Sequence, residues 1–173
     1  MGRIREAAPA RLFVAVMHRP GYDPALLLER LAERYGTVAG RCAPYPFASA
    51  YYEAEMGQGL VKFLVAFSPP VPQERLAEVK RETNALEEGL ADEQGRIVNL
   101  DPGIVTHYSV ILATTKGYAH RIYLGGGIYA EPALLFRRGK VDALPWTYPD
   151  YQSPAAVGFF RETRRCLLQA AAD

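Results

Sequence analysis

Two repeat lengths of apolar and polar residues alternate along this chain, and they predict its elements in order. Leu12–Met17 is a continuous apolar run closed by Pro20 and Gly21, the pattern of a buried strand. Asp23-Pro24 then opens a helix, because the Asp oxygen accepts an orphan N–H and proline has none to leave unsatisfied. Leu27, Leu28, Leu31 and Tyr35 form its apolar stripe, and Gly36 stands where a helix ends. A weak strand over Thr37–Ala43 is stopped by Pro44 and Pro46, and residues 47–58 read as an aromatic and acidic connection. Leu60–Phe67 is a strong strand ended by Pro69, Pro70 and Pro72. A long helix follows from about Gln73 to Leu90, with Leu76, Val79, Thr83, Leu86 and Leu90 at helical spacing, and Arg96–Leu100 makes a short strand.

The order β-α-β-β-α-β is that of the split βαβ, ferredoxin-like plan, an α+β fold with both helices on one face of an antiparallel sheet. Beyond it, Ile104–Thr114 has a helical face (Ile104, Tyr108, Ile111, Leu112) but strand-like β-branched content; helix is the expectation. His120–Leu124 reads as a strand, and Ile128–Arg137 with Lys140–Leu144 as a hairpin around Arg138-Gly139. Ser153-Pro154 opens a last helix with Phe159, Phe160, Thr163 and Leu167 inward and Arg161, Arg164 and Arg165 outward. With no internal repeat or low-complexity linker, residues 1–173 are expected to form a single domain, residues 1–10 being a flexible N-terminal segment.

Composition narrows the function classes. Twenty basic against nineteen acidic side chains leave almost no net field, which argues against a large nucleic-acid footprint. The apolar run after Arg3 and Arg5 is too short for a signal core, and no segment approaches the roughly 20 apolar residues of a spanning helix. A cytoplasmic, non-membrane protein is expected. Cys42 and Cys166 lie far apart without metal-like spacing and read as free thiols in a reducing compartment. The three histidines are separated, and neither H-E-x-x-H nor C-x-x-C occurs, so no metal site is expected and any cofactor is unknown.

Several blocks carry more polar and aromatic residues than a core requires. They are Tyr51-Tyr52-Glu53 with Glu55-Met56-Gly57, Thr83-Asn84 with Leu86-Glu87, and Asn99-Leu100-Asp101-Pro102-Gly103. They continue with Thr115-Lys116, His120-Arg121-Ile122-Tyr123-Leu124, Gly127-Ile128-Tyr129-Ala130-Glu131, and Pro145-Trp146-Thr147-Tyr148-Pro149-Asp150-Tyr151. In these blocks, over about residues 11–165, the chain resembles the bacterial and archaeal family catalogued as domain of unknown function 4416. The resemblance implies a shared fold and site but no activity. Some relatives carry a loose GTP-binding label. A phosphate-binding loop needs G-x-x-x-x-G-K-[ST] between strand and helix, whereas Gly125-Gly126-Gly127 leads into strand-like Ile128-Tyr129-Ala130 and reads as a turn.

Within the blocks, Lys116, His120 and Arg121 form a compact cluster offering charge and a proton shuttle. A phosphate or carboxylate could sit among them with His120 as acid or base and Glu131 nearby, although a histidine before a strand is also a common structural element. Glu53 and Glu55, two apart in an extended stretch, would point the same way toward a cation or shared proton, or stand solvated. Asp101 is expected to cap a turn or helix, with a catalytic role as the alternative, and Asn99 to bond a strand end or a ligand. A ferredoxin-like layout would separate Glu53 from Asp101. Lys80, Asn84 and Glu87 share one flank of the long helix, and a mid-helix asparagine implies a partner outside it, a loop backbone ahead of a substrate. Trp146, Tyr148 and Tyr151 make an aromatic wall or a lid over the core, and Tyr123 joins the ligand-binding set. Two functions follow. One is an enzyme or sensor for an anionic small molecule, phosphorylated or nucleotide-like. The other is a protein-interaction or homodimerisation domain.

Overall fold

Strand β1, Arg11–His18, is buried at every position because it runs through the centre of the sheet with helices over both faces. Leu12, Val14 and Val16 face one layer and Phe13 and Ala15 the other, the period-two alternation of a strand. The computed structural model describes residues 2–170. After β1 come α1 (Ala25–Tyr35), β2 (Val38–Arg41), β3 (Tyr45–Phe47), α2 (Ala50–Met56) and β4 (Leu60–Phe67). A 3₁₀ turn leads into α3 (Leu76–Leu90), followed by β5 (Val98–Val105), β6 (Ser109–Thr114), β7 (Ile122–Gly125), β8 (Ile128–Arg137) and β9 (Lys140–Ala143). A second 3₁₀ turn over Pro149–Gln152 precedes α4 (Pro154–Ala170).

Helix and strand combine in an α+β fold built on one nine-stranded antiparallel sheet of order β2-β4-β1-β5-β6-β8-β7, with β3 added on β4 and β9 on β8. Helices α1 and α3 lie on one face, burying Leu27, Leu31, Tyr35, Leu76 and Val79 against Val14, Val16, Phe63 and Val65. Helix α4 covers the other face, where Phe160 meets Phe13 edge-on at 5.1 Å. Each such aromatic adds about 2–3 kcal/mol of burial, so the two helical layers supply much of the driving force. No helix of the described residues is long and apolar enough to cross a membrane.

Three expectations are corrected. Ile104–Thr114 is not a helix: it spans the end of β5 and the strand β6, joined by a tight turn in which Thr106 and Ser109 exchange hydrogen bonds. Its β-branched residues find cross-strand partners there, and these outweigh a helical face in this segment. Residues 47–58 are not an irregular connection, because α2 occupies most of them. The N-terminal segment joins the fold at its end: Ala10 is fully buried and pairs with Val71, and Gln73 donates to the Ala8 carbonyl at 2.7 Å. Asp101 caps nothing; it lies within β5.

The Asp101-Pro102-Gly103 tripeptide has a different logic from a turn. Leu100, Asp101 and Pro102 pair with β1 on one side, but pairing to β6 begins only at Gly103. Strand alternation puts the Pro102 nitrogen, which has no hydrogen to donate, on the β6 side, so the ladder stops there. At Gly103 a Cβ would meet the Phe13 ring and the Ile111 carbonyl at 2.5 Å, so only glycine lets the strands close up. The sheet therefore parts between the start of β5 and the end of β6.

Candidate functional site

The parting opens a cleft of about 410 Å³. One wall is β5 with α3, the other is the end of β6 and Glu131 of β8, and α2 and the 3₁₀ turn at Pro149–Gln152 close the ends. The open edge of β5 is covered by side chains of α3. The Leu100 N–H donates to Glu87 Oε1 at 2.6 Å, and the Leu100 carbonyl accepts from Lys80 Nζ at 2.8 Å. A strand edge facing a cleft is thus satisfied without a neighbouring strand, by two residues about two turns apart on one face of α3.

From this base Asp101 projects into the cleft. Its carboxylate takes Lys80 Nζ at 3.1 Å on one oxygen and Asn99 Nδ2 at 2.7 Å on the other, and Asn99 accepts in turn from Arg96 at 2.7 Å. Lys80 is 7% accessible and Asp101 31%, so the pair stands with its acid toward the opening. Burial pushes the Asp101 carboxyl up, but the ammonium groups of Lys80 and Lys62 with the two hydrogen bonds hold it below the usual range. Glu87 behaves oppositely: burial, with Asp101 adding to it, outweighs Lys80, the Leu100 N–H and Arg96, and raises it to about 7. Two carboxyls on one network are thereby separated, one ionised throughout the neutral range and one titrating within it.

A second charged pair lies deeper. Lys62, alone among apolar residues in β4, binds Asp150 at 2.7 Å between the rings of Phe47 and Tyr151. Tyr45 donates to the same Asp150 oxygen at 3.1 Å. Tyr151 is 2% exposed, and its hydroxyl has no hydrogen-bond partner among the described residues. Burial raises the Tyr52, Tyr148 and Tyr151 hydroxyls, with the Asp101 charge adding in each case, so all three remain proton donors at neutral pH.

The remaining predicted site residues divide. Asn99, Asp101, Lys116 and Glu131 line the cleft together. His120 and Arg121 do not line it. They sit in the loop before β7, which frees them from strand alternation, but both turn onto the buried Glu131, at 2.6 and 2.8 Å. The expected anion pocket is thus filled by a carboxylate of the protein itself, and Arg121 also donates to the Lys116 carbonyl at 2.8 Å. Trp146 stacks on His120 at 4.4 Å and donates to Pro132, away from the cleft lining. Tyr123 is exposed on the edge strand β7, and its hydroxyl accepts from Gly127.

Glu53 and Glu55 diverge because they stand on a helix, where residues two apart point about 200° apart. Glu55 lines the cleft and binds Arg96 at 3.3 Å, whereas Glu53 borders a separate pocket with Pro44 and Leu60. Glu53 is therefore apart from Asp101, but its neighbours Tyr51, Tyr52 and Glu55 are not: α2 brings them to the same cleft. Tyr51 accepts from Lys116 at 2.8 Å. The site residues that sequence reasoning missed are Lys62, Arg96, Glu87 as an acid and Asp150. Lys62 had a signal, a single charge inside an eight-residue apolar strand; Glu87 and Asp150 had only the family blocks, and Arg96 had none.

No group of His, Cys, Asp and Glu among the described residues has the arrangement of a metal site. Comparison with curated proteins finds no match, and comparison with solved structures finds none. Residues 8–166 match the model of the family described as Domain of unknown function (DUF4416), and the chain belongs to that family.

Proposed function

We propose that the cleft binds a small polar molecule with an anionic group, phosphorylated or nucleotide-like, as the substrate or signal of a cytoplasmic enzyme or sensor. The observation that carries this reading is the meeting of the Lys80–Asp101–Asn99 network with the unpartnered Tyr151 hydroxyl in one cleft. A buried hydroxyl without a partner is costly and is retained where something else supplies the hydrogen bond. Lys116 is the cleft cation without a carboxylate within 4 Å among the described residues, and it would take the anionic group. Tyr51, Tyr52 and Tyr148 would flank a base or sugar, and Glu87, titrating near neutrality, is suited to accept or return a proton. The strand order β2-β4-β1-β5, with α1 and α3 on one face, supports a ferredoxin-like plan for the first half of the chain.

Calorimetric titration with nucleoside monophosphates and sugar phosphates tests the reading, using wild type, Lys116→Ala and Tyr151→Phe. Binding weakened at least tenfold in both variants is expected, and no binding by wild type across the panel would end it. A second reading, a seam between two copies of this chain, is favoured by the edge strand β7, where Ile122 and Tyr123 are 66% and 59% exposed. Light scattering that finds a dimer in wild type and a monomer in Ile122→Asp would support that seam.

A further inference from the structure

A second cavity, of about 420 Å³, lies apart from the cleft, between α4 and the β2–β4 edge of the sheet. Its lining is mostly small and apolar, including Ala39, Ala66, Pro154, Gly158 and Phe159. Arg11, the first residue of β1, also lines it, although this arginine is only 5% exposed. A buried arginine normally has a carboxylate fork opposite it. Here no carboxylate of the described residues lies within 4 Å; Nη1 donates to the Phe67 carbonyl at 3.3 Å, and the buried Nε has no partner. The one acid in the lining, Glu162, is bound to Arg165 at 2.5 Å instead. Nothing in the packing of the strand requires a guanidinium there, since a methionine would fill a similar volume without a buried charge.

We infer that this cavity is a binding site for an aliphatic monocarboxylate, its carboxylate on Arg11 and its chain against the apolar wall of α4. The charges select a monoanion: Glu162 is held by Arg165 and the Arg41 guanidinium lies over the Phe63 ring, which leaves Arg11 as the one unneutralised charge among the lining residues. The guanidinium fork matches a planar carboxylate in two hydrogen bonds, and the α4 wall leaves no free side-chain donor for the many oxygens of a sugar or nucleotide, since Thr163 donates to the Phe159 carbonyl and Cys166 to Glu162. Both cysteines, Cys42 and Cys166, border the cavity, so its occupancy can be read from their reactivity. The inference is independent of the cleft on β5 and of any ligand bound there.

Octanoate is the probe, with octanol and inorganic phosphate as comparisons, each titrated calorimetrically into the full chain. Wild type should bind one octanoate, and octanol and phosphate should each bind at least tenfold more weakly. Arg11→Met should lower octanoate affinity at least tenfold. Gly158→Leu provides a variant that fills the cavity with Arg11 in place: a Cβ at Gly158 meets nothing within 4 Å, and leucine favours the helix. It should also abolish binding while unfolding at or above the wild-type denaturant midpoint. Lys116→Ala should bind octanoate as wild type does, and octanoate should slow maleimide labelling of the cysteines at least threefold. Octanol binding as tightly as octanoate would overturn the inference. So would octanoate binding untouched by Arg11→Met and Gly158→Leu, or none at all.

Discussion

Replacing Glu87 by glutamine tests the electrostatics of the cleft without a ligand. Glu87 is 6% exposed, and its carboxyl is raised from an ordinary 4.5 to about 7. An acid whose folded value is raised binds its proton more tightly in the native state. Its contribution is therefore complete below about pH 4.5 and is lost as pH rises toward 7. Each pH unit of difference is worth about 1.4 kcal/mol, so wild type should lose about 3 kcal/mol from this group between pH 4.5 and 8. Asp101 does not confuse the window, because its carboxyl is held below its ordinary value and is ionised in both folded and unfolded chains above pH 5. Glutamine keeps an oxygen for the Leu100 N–H but cannot ionise. It also places an amide near Lys80 and Arg96, and that cost is the same at every pH. The quantity to measure is thus the change with pH of the stability difference between Glu87→Gln and wild type, from urea unfolding at half-unit steps. The variant should gain about 2–3 kcal/mol relative to wild type over the range, with the midpoint between pH 5 and 7. A flat difference, or a gain in wild type on raising pH, would refute the placing of Glu87 as a desolvated acid.

Three further outcomes follow from the same geometry. Asp101→Ala leaves the Lys80 ammonium buried beside a carbonyl alone, and urea unfolding should register a loss of about 2 kcal/mol, less than for a fully enclosed pair because Asp101 is 31% accessible. A loss below about 0.5 kcal/mol would argue that water replaces the carboxylate. Gly103→Ala drives a methyl into the Phe13 ring and the Ile111 carbonyl, and a thermal melt should fall by the equivalent of about 2–3 kcal/mol; an unchanged melt would mean the strands part further than described. Tyr151→Phe removes a desolvated hydroxyl with no partner among the described residues, so unfolding of the free protein should be unchanged or shifted upward by up to about 1 kcal/mol. Destabilisation beyond that would show that the hydroxyl has a protein partner after all.

The elements whose periodicity reports burial were legible in the sequence alone. The run Leu12–Met17 announced the central strand because both its faces are covered, and the stripes Leu27-Leu31-Tyr35 and Phe159-Phe160-Thr163-Leu167 announced the helices because one face of each is. The Asp23 side chain accepts the Ala25 N–H at 3.0 Å, as its place before the first helix implied. The family blocks singled out most of the segments that line the cleft, yet nothing in their spacing said which of them would meet. Ile104–Thr114 was misread because a short β-branched run carries both periods, and only cross-strand pairing with β8 decides between them. Asp101-Pro102-Gly103 has the composition of a turn, and its role as the place where two strands part follows from partners far away in the chain, Phe13 and Ile111. Likewise His120 and Arg121 could have held a ligand as far as local chemistry shows; the pairing of β8 with β7 set Glu131 between them. Local patterning determines where a strand or helix forms because burial is periodic. Which charges face one another is decided by sheet register and by helix α3 crossing β5, and those are tertiary facts.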